Sequence, residues 1–292
     1  MPVQPTGTNL LFGTLLDIRS SPPPRLIEFD GRQLGLIDSC RTRTWSGEFA
    51  LTDVSASYET NGFALWRNAI GESAIDAFER RILDLVTDLT GQSFETVRDP
   101  RFALFLQANR ETERQLYDGV RTYDWIMDLA RSRDVTERVS QLLGDQLALM
   151  RKVVLRIDLP QVTRELAVWH QDYRYVRGNQ RIVTAWIPLQ DTAYIHGCLM
   201  VMPGSHRLGP LEHDGQALMK RHYPSGIFDR EVRYVEMRRG DLLLFHSLLL
   251  HSSGINLSDC ARLSLQSRYT CLREETDASM GEVIPIHAGG IQ

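Results

Sequence analysis

Two histidines and one aspartate are the side chains whose types and spacing most clearly indicate chemistry. His170 and Asp172 stand two residues apart in the stretch Trp-His-Gln-Asp, and His251 follows much further along the chain. Residues two apart on a β-strand point to the same face, so the first two side chains are expected to lie side by side. Two imidazoles and one carboxylate around a pocket form the facial triad that holds non-haem Fe(II) and leaves other positions open. These three residues are the candidate metal ligands.

Short apolar runs separated by turn residues dominate the second half of the chain and must position these side chains. Glycine, proline and aspartate punctuate the runs, as in Met-Pro-Gly-Ser at 202–205 and Arg-Gly-Asp at 239–241. His251 comes at the end of one such run, 242–250. The predicted strands are 153–157, 168–170, 182–189, 198–202, 232–237, 242–245 and 263–269.

Helical periodicity dominates the first half of the chain. Residues 62–66 indicate a short strand, and apolar residues then recur in steps of three and four over 72–86, 108–131 and 135–150, which predicts three helices. Helices followed by many short strands predict an α+β fold with helices packed against a β-sandwich or double-sheet jelly roll. Residues 1–52 are rich in turn formers and are interpreted as an N-terminal extension, partly loop; 53–292 form a single domain.

Composition excludes several classes of protein. The chain has 292 residues, 42% of them hydrophobic, and a net charge of −4. No basic stripe suggests a nucleic-acid partner, and no acidic tail suggests a solvating role. Its four cysteines form no CxxC pair, which favours a reduced, intracellular protein. No signal peptide is evident, and no run approaches the ~18 apolar residues of a membrane span. We therefore expect a cytoplasmic protein without membrane or nucleic-acid partners, either monomeric or a homodimer.

The order of motifs resembles one known family. His-Gln-Asp at 170–172 is followed by Trp-Ile-Pro-Leu, Gly-Cys-Leu, Pro-Gly-Ser-His, Gly-Asp, His-Ser-Ser-Gly-x-Asn from His251, and Arg262 eleven residues after that histidine. This order resembles the phytanoyl-CoA dioxygenase family of Fe(II)- and 2-oxoglutarate-dependent oxygenases, densely over 153–269 and more loosely over 58–81. The resemblance implies a cupin-like jelly-roll core, the double-stranded β-helix. It also implies Fe(II), 2-oxoglutarate and O2 as cofactor and cosubstrates.

Carried onto this sequence, the resemblance implies that His170, Asp172 and His251 bind iron. Three protein ligands leave three positions for bidentate 2-oxoglutarate and for O2. Related halogenases replace the aspartate by a small residue, so the presence of Asp172 favours oxygen transfer over halide transfer. His246 lies an odd five residues before His251, so the two face opposite sides of a regular strand. The family pattern also favours His251, the histidine followed by Ser-Ser-Gly, so His246 is expected to be structural or to support the site from close by. His206, on a turn after a strand, is expected to be structural.

Arg262 is the expected anchor for the distal carboxylate of 2-oxoglutarate. A planar guanidinium can grip a carboxylate through two parallel hydrogen bonds. Alternation along this strand also permits a second interpretation, in which Arg262 belongs to a solvated face with Ser264, Gln266 and Arg268. Two further positions match the family's cosubstrate pocket, Ser253 and Trp186, although Trp186 is explained equally well as a core residue.

The substrate is the least determined feature. Four residues after the metal motif could line the mouth of the pocket, the arginines meeting an acidic group and the tyrosines stacking on a ring, or could form a solvated loop: Tyr173, Arg174, Tyr175 and Arg177. Without a basic stripe for CoA phosphates, we expect a small molecule, a specialised-metabolite intermediate, hydroxylated at an unactivated C–H bond. The polar segment 208–230 is either a lid or a surface excursion.

Other outcomes stay open from the sequence. The same iron chemistry can desaturate, cyclise or epimerise, and an acyl-CoA or lipid could replace the specialised metabolite. The chain could also be a catalytically silent jelly-roll binding protein, or a cupin-like enzyme that needs no 2-oxoglutarate. The presence of all four residues His170, Asp172, His251 and Arg262 counts against the silent protein, and Arg262 at its spacing counts against the cupin-like enzyme.

Overall fold

Two facing sheets form the centre of the molecule. The computed structural model describes residues 54–120, 123–162, 169–211, 230–275 and 281–286, and the backbone of three short strands nearer the N-terminus. The larger sheet has seven strands, and the smaller sheet has four. The strands, in chain order, are β1 Ile27–Phe29, β2 Arg32–Leu34, β3 Thr42–Trp45, β4 Phe63–Trp66, β5 Leu147–Met150, β6 Val154–Asp158, β7 Val183–Pro188, β8 Leu199–Val201, β9 Val232–Val235, β10 Leu242–His246, β11 His251–Ser253, β12 Arg262–Cys271 and β13 Val283–Pro285.

Strand β12 is the central strand of the larger sheet. The order of that sheet is β13-β5-β12-β7-β10-β4, and β6 also pairs with β12, so the long strand is flanked on both sides. The smaller sheet runs β11-β8-β9-β3. All these pairs are antiparallel except β3 with β9, which is parallel. Strand β3 falls inside the segment predicted as an N-terminal extension; the division of the chain at residue 52 stays a prediction.

Alternation along β7 and β12 separates two cores. Val183, Ala185 and Ile187 face the helices, whereas Trp186 belongs to the cluster between the two sheets. On β12 the residues that join the helix-side core are Leu263, Leu265, Tyr269 and Cys271, so the alternate residues Arg262, Ser264, Gln266 and Arg268 face the space between the sheets. The seven described helices are α1 Val54–Asn61, α2 Glu72–Thr90, α3 Pro100–Ala108, α4 Arg110–Gly119, α5 Asp128–Arg131, α6 Arg133–Leu143 and α7 Tyr173–Val176. The predicted α+β jelly roll with helices against one sheet is confirmed.

The prediction of one helix over 108–131 was wrong. Helix α3 begins earlier, because the Asp99 side chain accepts a hydrogen bond from the Arg101 amide and Pro100 takes the first helical position. Asn109, with the non-helical angles φ −118° and ψ 68°, then interrupts the helix before α4 begins. A further break precedes the 3-10 turn at Asp124–Met127, which leads into α5. Four apolar residues at helical spacing in this range, Leu116, Val120, Trp125 and Leu129, were candidates for the inward face; Leu116, Val120 and Leu129 are buried, and Trp125 is partly buried against the same core.

The prediction of a helix over 135–150 was also wrong at its C-terminal end. Helix α6 ends before Gly144, whose φ of +81° is a left-handed value that favours glycine. Residues 147–150 then form β5 rather than a last helical turn. They are buried along the whole strand, so their sequence shows no alternation that would separate a strand from a buried helix. The predicted helix over 72–86 is confirmed by α2.

Candidate metal centre

Backbone pairing brings the two candidate histidines together. The amide of His170 donates to the carbonyl of His251 at 2.9 Å, and the amide of His251 donates back at 3.0 Å. His251 is the first residue of β11, so the segment before Asp172 continues the smaller sheet beyond its edge strand. From the sequence, His251 was expected at the end of a strand over 242–250. Instead, β10 ends at residue 246, and the chain crosses to the smaller sheet before β11 begins at His251.

Asp172 reaches the same point by a different route from the one expected. It has helical backbone angles, φ −62° and ψ −30°, and immediately precedes α7. The strand spacing predicted for His170 and Asp172 was therefore wrong, although the two side chains are adjacent. Asp172 Oδ1 lies 3.5 Å from His170 Nε2 and 3.8 Å from His251 Nε2.

These three residues offer a ligand set suited to Fe(II). One ligand atom from each of them lies within 4.8 Å of the other two, and all three residues are buried. Two imidazole nitrogens and one carboxylate oxygen form the facial triad expected from the sequence. Within the described residues, no other group of three histidine, cysteine or acidic side chains converges in this way.

His251 is held in the protonation state that metal binding requires. Its Nδ1 lies 2.9 Å from the carbonyl oxygen of Leu249, which can only accept, so Nδ1 carries the proton and the Nε2 lone pair is free for a metal. Burial, reinforced by the nearby His170, lowers the pKa of His251 to about 3. The imidazole is therefore neutral at physiological pH, as a ligand must be.

The other carboxylate oxygen of Asp172 is bonded to the larger sheet. Arg268 on β12 donates to Oδ2 from both Nε, at 3.1 Å, and Nη2, at 3.0 Å. Thr184 on β7 donates its hydroxyl to the same oxygen at 2.7 Å. Burial disfavours the charged carboxylate, yet Arg268 and the two histidines hold the pKa of Asp172 well below its usual range. Sequence reasoning missed the roles of Arg268 and Thr184.

Arg262 lies in the interior rather than on a solvated face. Only 1% of the residue is exposed, so the alternative of a solvent-facing strand is excluded. Its guanidinium lies 5.5 Å from the centre of the Trp186 ring, and Nη1 donates to Ser264 at 3.1 Å. Nη2 lies 2.8 Å from Asp158 Oδ2, and Arg156 binds the same carboxylate.

Several buried donors around Arg262 have no hydrogen-bond acceptor among the described residues. They are Nε and Nη2 of Arg262 and Nε1 of Trp186; the contact of Nη2 with Asp158 lacks hydrogen-bond geometry. Nε and Nη2 form the edge of a guanidinium that pairs with a carboxylate through two parallel hydrogen bonds. Buried donors are rarely left unpaired, so these groups fit a carboxylate-bearing ligand such as 2-oxoglutarate.

Ser253 also faces this space. It stands two residues after His251 on β11, so both side chains point to the same face of the smaller sheet, and both residues are buried. The predicted cosubstrate residues Arg262, Trp186 and Ser253 are thus drawn from β12, β7 and β11 and share the space between the sheets.

The predicted substrate residues directly follow Asp172, one of the candidate metal ligands. Tyr173, Arg174 and Tyr175 belong to α7, and Arg177 ends it with a left-handed φ of 47°. The ring of Tyr175 packs edge-on against His170 with centroids 5.6 Å apart, yet 42% of the residue is exposed. Tyr175 therefore connects the metal cluster to the surface. Most of the predicted lid, 212–229, lies outside the described residues.

His246 and His206 are separate from the metal cluster. Their rings pack against each other with centroids 5.3 Å apart, and His246 accepts a hydrogen bond from the Leu248 amide. His206 Nε2 contacts the carbonyl of Glu59. These contacts agree with the structural roles expected for both residues.

A jelly roll with two histidines and a carboxylate between its sheets is the arrangement of non-haem Fe(II)- and 2-oxoglutarate-dependent dioxygenases. The family model of phytanoyl-CoA dioxygenase (PhyH) matches residues 58–264. The chain therefore belongs to this family and is such a dioxygenase, which confirms the resemblance found in the sequence.

Individual relatives agree with this assignment. A probable phytanoyl-CoA dioxygenase of Caenorhabditis elegans is 25% identical over 257 residues, covering 80% of this chain and 78% of the relative. The 1-deoxypentalenic acid 11-beta-hydroxylase of Streptomyces exfoliatus is 27% identical over 214 residues, covering 69% and 73%. The fold is shared with the epimerase SnoN, crystallised with Fe3+, alpha ketoglutarate and nogalamycin RO: the TM-score is 0.54 at 20% identity, with 76% and 83% of the two chains covered.

Two further findings concern the described residues alone. None of their helices is long and apolar enough to cross a membrane. Cys198, Cys260 and Cys271 are free thiols.

Proposed function

We propose that His170, Asp172 and His251 bind the catalytic Fe(II). The convergence of their ligand atoms supports this assignment, as does the fixed tautomer of His251. Asp172 would bind through Oδ1, because Oδ2 already accepts hydrogen bonds from Arg268 and Thr184. Three coordination positions then remain for the cosubstrates.

Arg262, with Trp186 and Ser253, would hold 2-oxoglutarate. The observation that carries this proposal is the set of buried donors on Arg262 and Trp186 that have no hydrogen-bond acceptor among the described residues. A carboxylate on the Nε and Nη2 edge of Arg262 would satisfy both nitrogens at once. The bound iron and cosubstrate supply the oxidising power: 2-oxoglutarate and O2 become succinate and CO2, and one oxygen atom enters the substrate C–H bond.

The proposed reaction is hydroxylation of an unactivated C–H bond in a small molecule, a specialised-metabolite intermediate. The Streptomyces relative supports this choice, because its name states a hydroxylation of 1-deoxypentalenic acid and the match covers 73% of its length. Tyr175, packed on His170 and open to the surface, would line the entrance for the substrate together with Tyr173, Arg174 and Arg177.

A second candidate is hydroxylation of an acyl-CoA. The relative from Caenorhabditis elegans, named a probable phytanoyl-CoA dioxygenase, favours it. The two candidates differ in substrate. The protein should be incubated with phytanoyl-CoA and, separately, with a panel of terpenoid carboxylic acids. The substrate class whose mass increases by one oxygen atom identifies the candidate. Mass loss of two hydrogen atoms instead would indicate desaturation or cyclisation.

Anaerobic titration tests the cofactors directly. Fe(II) followed by 2-oxoglutarate should produce the visible charge-transfer band of the chelate in the wild type and in His196→Ala, a histidine outside the cluster. The band should be absent in His251→Ala. Iron binding without the band would contradict the role of 2-oxoglutarate and favour a cupin-like enzyme of another kind. A protein that binds no iron would instead be a silent binding protein.

A further inference from the structure

The carboxylate of Asp172 is held from the sheet opposite the histidines. His170 and His251 belong to the edge of the smaller sheet, whereas Arg268 and Thr184 stand on β12 and β7 of the larger sheet. Arg268 and Thr184 are directly paired across those two antiparallel strands, so their side chains share one face. Asp172 is thus the residue through which the ligand cluster bonds to the larger sheet.

The two oxygens of this carboxylate are in different environments. Oδ2 accepts three hydrogen bonds, from Thr184 at 2.7 Å and from the two nitrogens of Arg268 at 3.0 and 3.1 Å. Oδ1 is the oxygen that faces the imidazoles, 3.5 and 3.8 Å from their Nε2 atoms. Because three donors occupy the lone pairs of Oδ2, that oxygen cannot also bind a cation without breaking these bonds.

Arg268 is itself fixed in place. Its Nη2 also donates to Gln266 Oε1 at 3.2 Å, and the residue is buried. Two donors of one planar guanidinium meet a single oxygen, a geometry that a lysine ammonium cannot reproduce. The orientation of the carboxylate is therefore set by a rigid partner rather than by a mobile surface side chain.

We propose that Arg268 and Thr184 are positioning residues that hold Oδ2 of Asp172 and so present only Oδ1 to the metal ion. This proposal rests on the proposed metal site and adds to it. If the carboxylate were free to turn, Oδ2 could become a second ligand and occupy a position that the cosubstrates need. The pair of residues keeps Asp172 a one-oxygen ligand.

The sign of the effect separates positioning from charge. A guanidinium beside the site repels a divalent cation, so by Coulomb's law alone its removal would tighten metal binding. Loss of orientation acts in the opposite direction, because residues that orient metal ligands typically contribute 10–100-fold to metal affinity. Weaker binding in Arg268→Lys, which keeps the positive charge, can therefore be attributed to lost orientation rather than to lost charge.

The test is titration of the metal-free protein with Co(II), read by its visible d–d absorption, which reports both affinity and coordination number. We expect Arg268→Met to raise the Co(II) Kd about 10–100-fold and to change the spectrum. Arg268→Lys, which keeps the charge but loses the planar pair of donors, should also bind more weakly than the wild type. Thr184→Val should raise the Co(II) Kd by up to about tenfold. Thr184→Ser, which keeps the hydroxyl, should bind Co(II) as the wild type does.

A matched control removes a partly buried arginine elsewhere. Arg239 bonds to Asp76 and Glu79 and to no residue of the metal cluster, so Arg239→Met should lower the melting temperature without changing the Co(II) spectrum or Kd. An Arg268→Met protein that behaves like this control would overturn the proposal, as would tighter Co(II) binding. A wild type that binds no Co(II) would overturn the metal site as well.

Discussion

Arg262 provides the sharpest test of the cosubstrate site. The perturbations are Arg262→Met, which removes the guanidinium, and Arg262→Lys, which keeps a positive charge but not two parallel donors. Arg156 still pairs with Asp158 in both variants, at 3.1 Å between Nη2 and Oδ1, so neither variant leaves that buried carboxylate without a cation. The folded protein should therefore survive, and the effect on 2-oxoglutarate can be measured.

The expected magnitude follows from Nε and Nη2, the two nitrogens of Arg262 that have no hydrogen-bond acceptor among the described residues. Hydrogen bonds to charged groups contribute about 1.5–3 kcal/mol each, so two of them amount to about 3–6 kcal/mol. Each 1.4 kcal/mol is a factor of ten, so the Kd of 2-oxoglutarate should rise by about 10²–10⁴ in Arg262→Met. Loss of one of the two bonds in Arg262→Lys should raise it about 10–100-fold.

The assay is the anaerobic charge-transfer titration at saturating Fe(II). Pyruvate, which carries the metal-chelating 2-oxo acid but not the distal carboxylate, provides the internal comparison. If Arg262 binds the distal carboxylate, its substitution should weaken pyruvate chelation little while it weakens 2-oxoglutarate strongly. Equal losses for both ligands, or a Kd for 2-oxoglutarate within threefold of the wild type, would refute the anchor role.

Two further predictions concern stability. Gly197 has φ +72°, and a Cβ there would lie 2.6 Å from the backbone oxygen of Gly254, so Gly197→Ala should lower the free energy of unfolding by about 2–5 kcal/mol. Gly91→Ala, at the same φ but in open space, should lower it by only about 1–2 kcal/mol in the same urea denaturation; equal losses would contradict the steric clash. Burial, then the charge of His206, lowers the pKa of His246 to about 4, so between pH 6.5 and 4 the unfolded chain binds a proton that the folded chain does not. Stability should fall as pH falls through this window, and between pH 7 and 5 the metal-free wild type should lose on the order of 2 kcal/mol more than His246→Asn. Equal losses of stability in the wild type and in His246→Asn would refute the lowered pKa of His246.

The cluster of candidate metal ligands was predictable because the types and order of its residues carry the information. His170, Asp172 and His251 were correctly brought to one cluster, although the geometric reason offered for the first two was wrong. Asp172 starts a helical turn rather than continuing a strand, and its side chain meets the histidines because His170 pairs with His251 across the sheet edge. A long-range backbone pairing of this kind leaves no local trace in the sequence.

The positions of Arg268 and Thr184 show where sequence reasoning reached its limit. Alternation along β12 does place Arg268 on the same face as Arg262, and that signal was available. It could not show that this face is interior, because polar residues on one side of a strand usually indicate solvent. Only the pairing of β12 with β7 reveals that Thr184 lies opposite Arg268 and that both reach one oxygen.

The charges between the sheets explain why this interior can be polar. Arg156 and Arg262 share the carboxylate of Asp158, and Arg268 pairs with Asp172, so three guanidinium groups face two carboxylates and leave one net positive charge. A divalent metal ion would raise that excess to three, which a buried site could hold only beside further anionic charge. A dicarboxylate such as 2-oxoglutarate would return the excess to one. The metal ion and the dianion should therefore bind with positive coupling, because the metal ion increases the positive charge that attracts the dianion and the dianion lowers the positive charge that repels the metal ion.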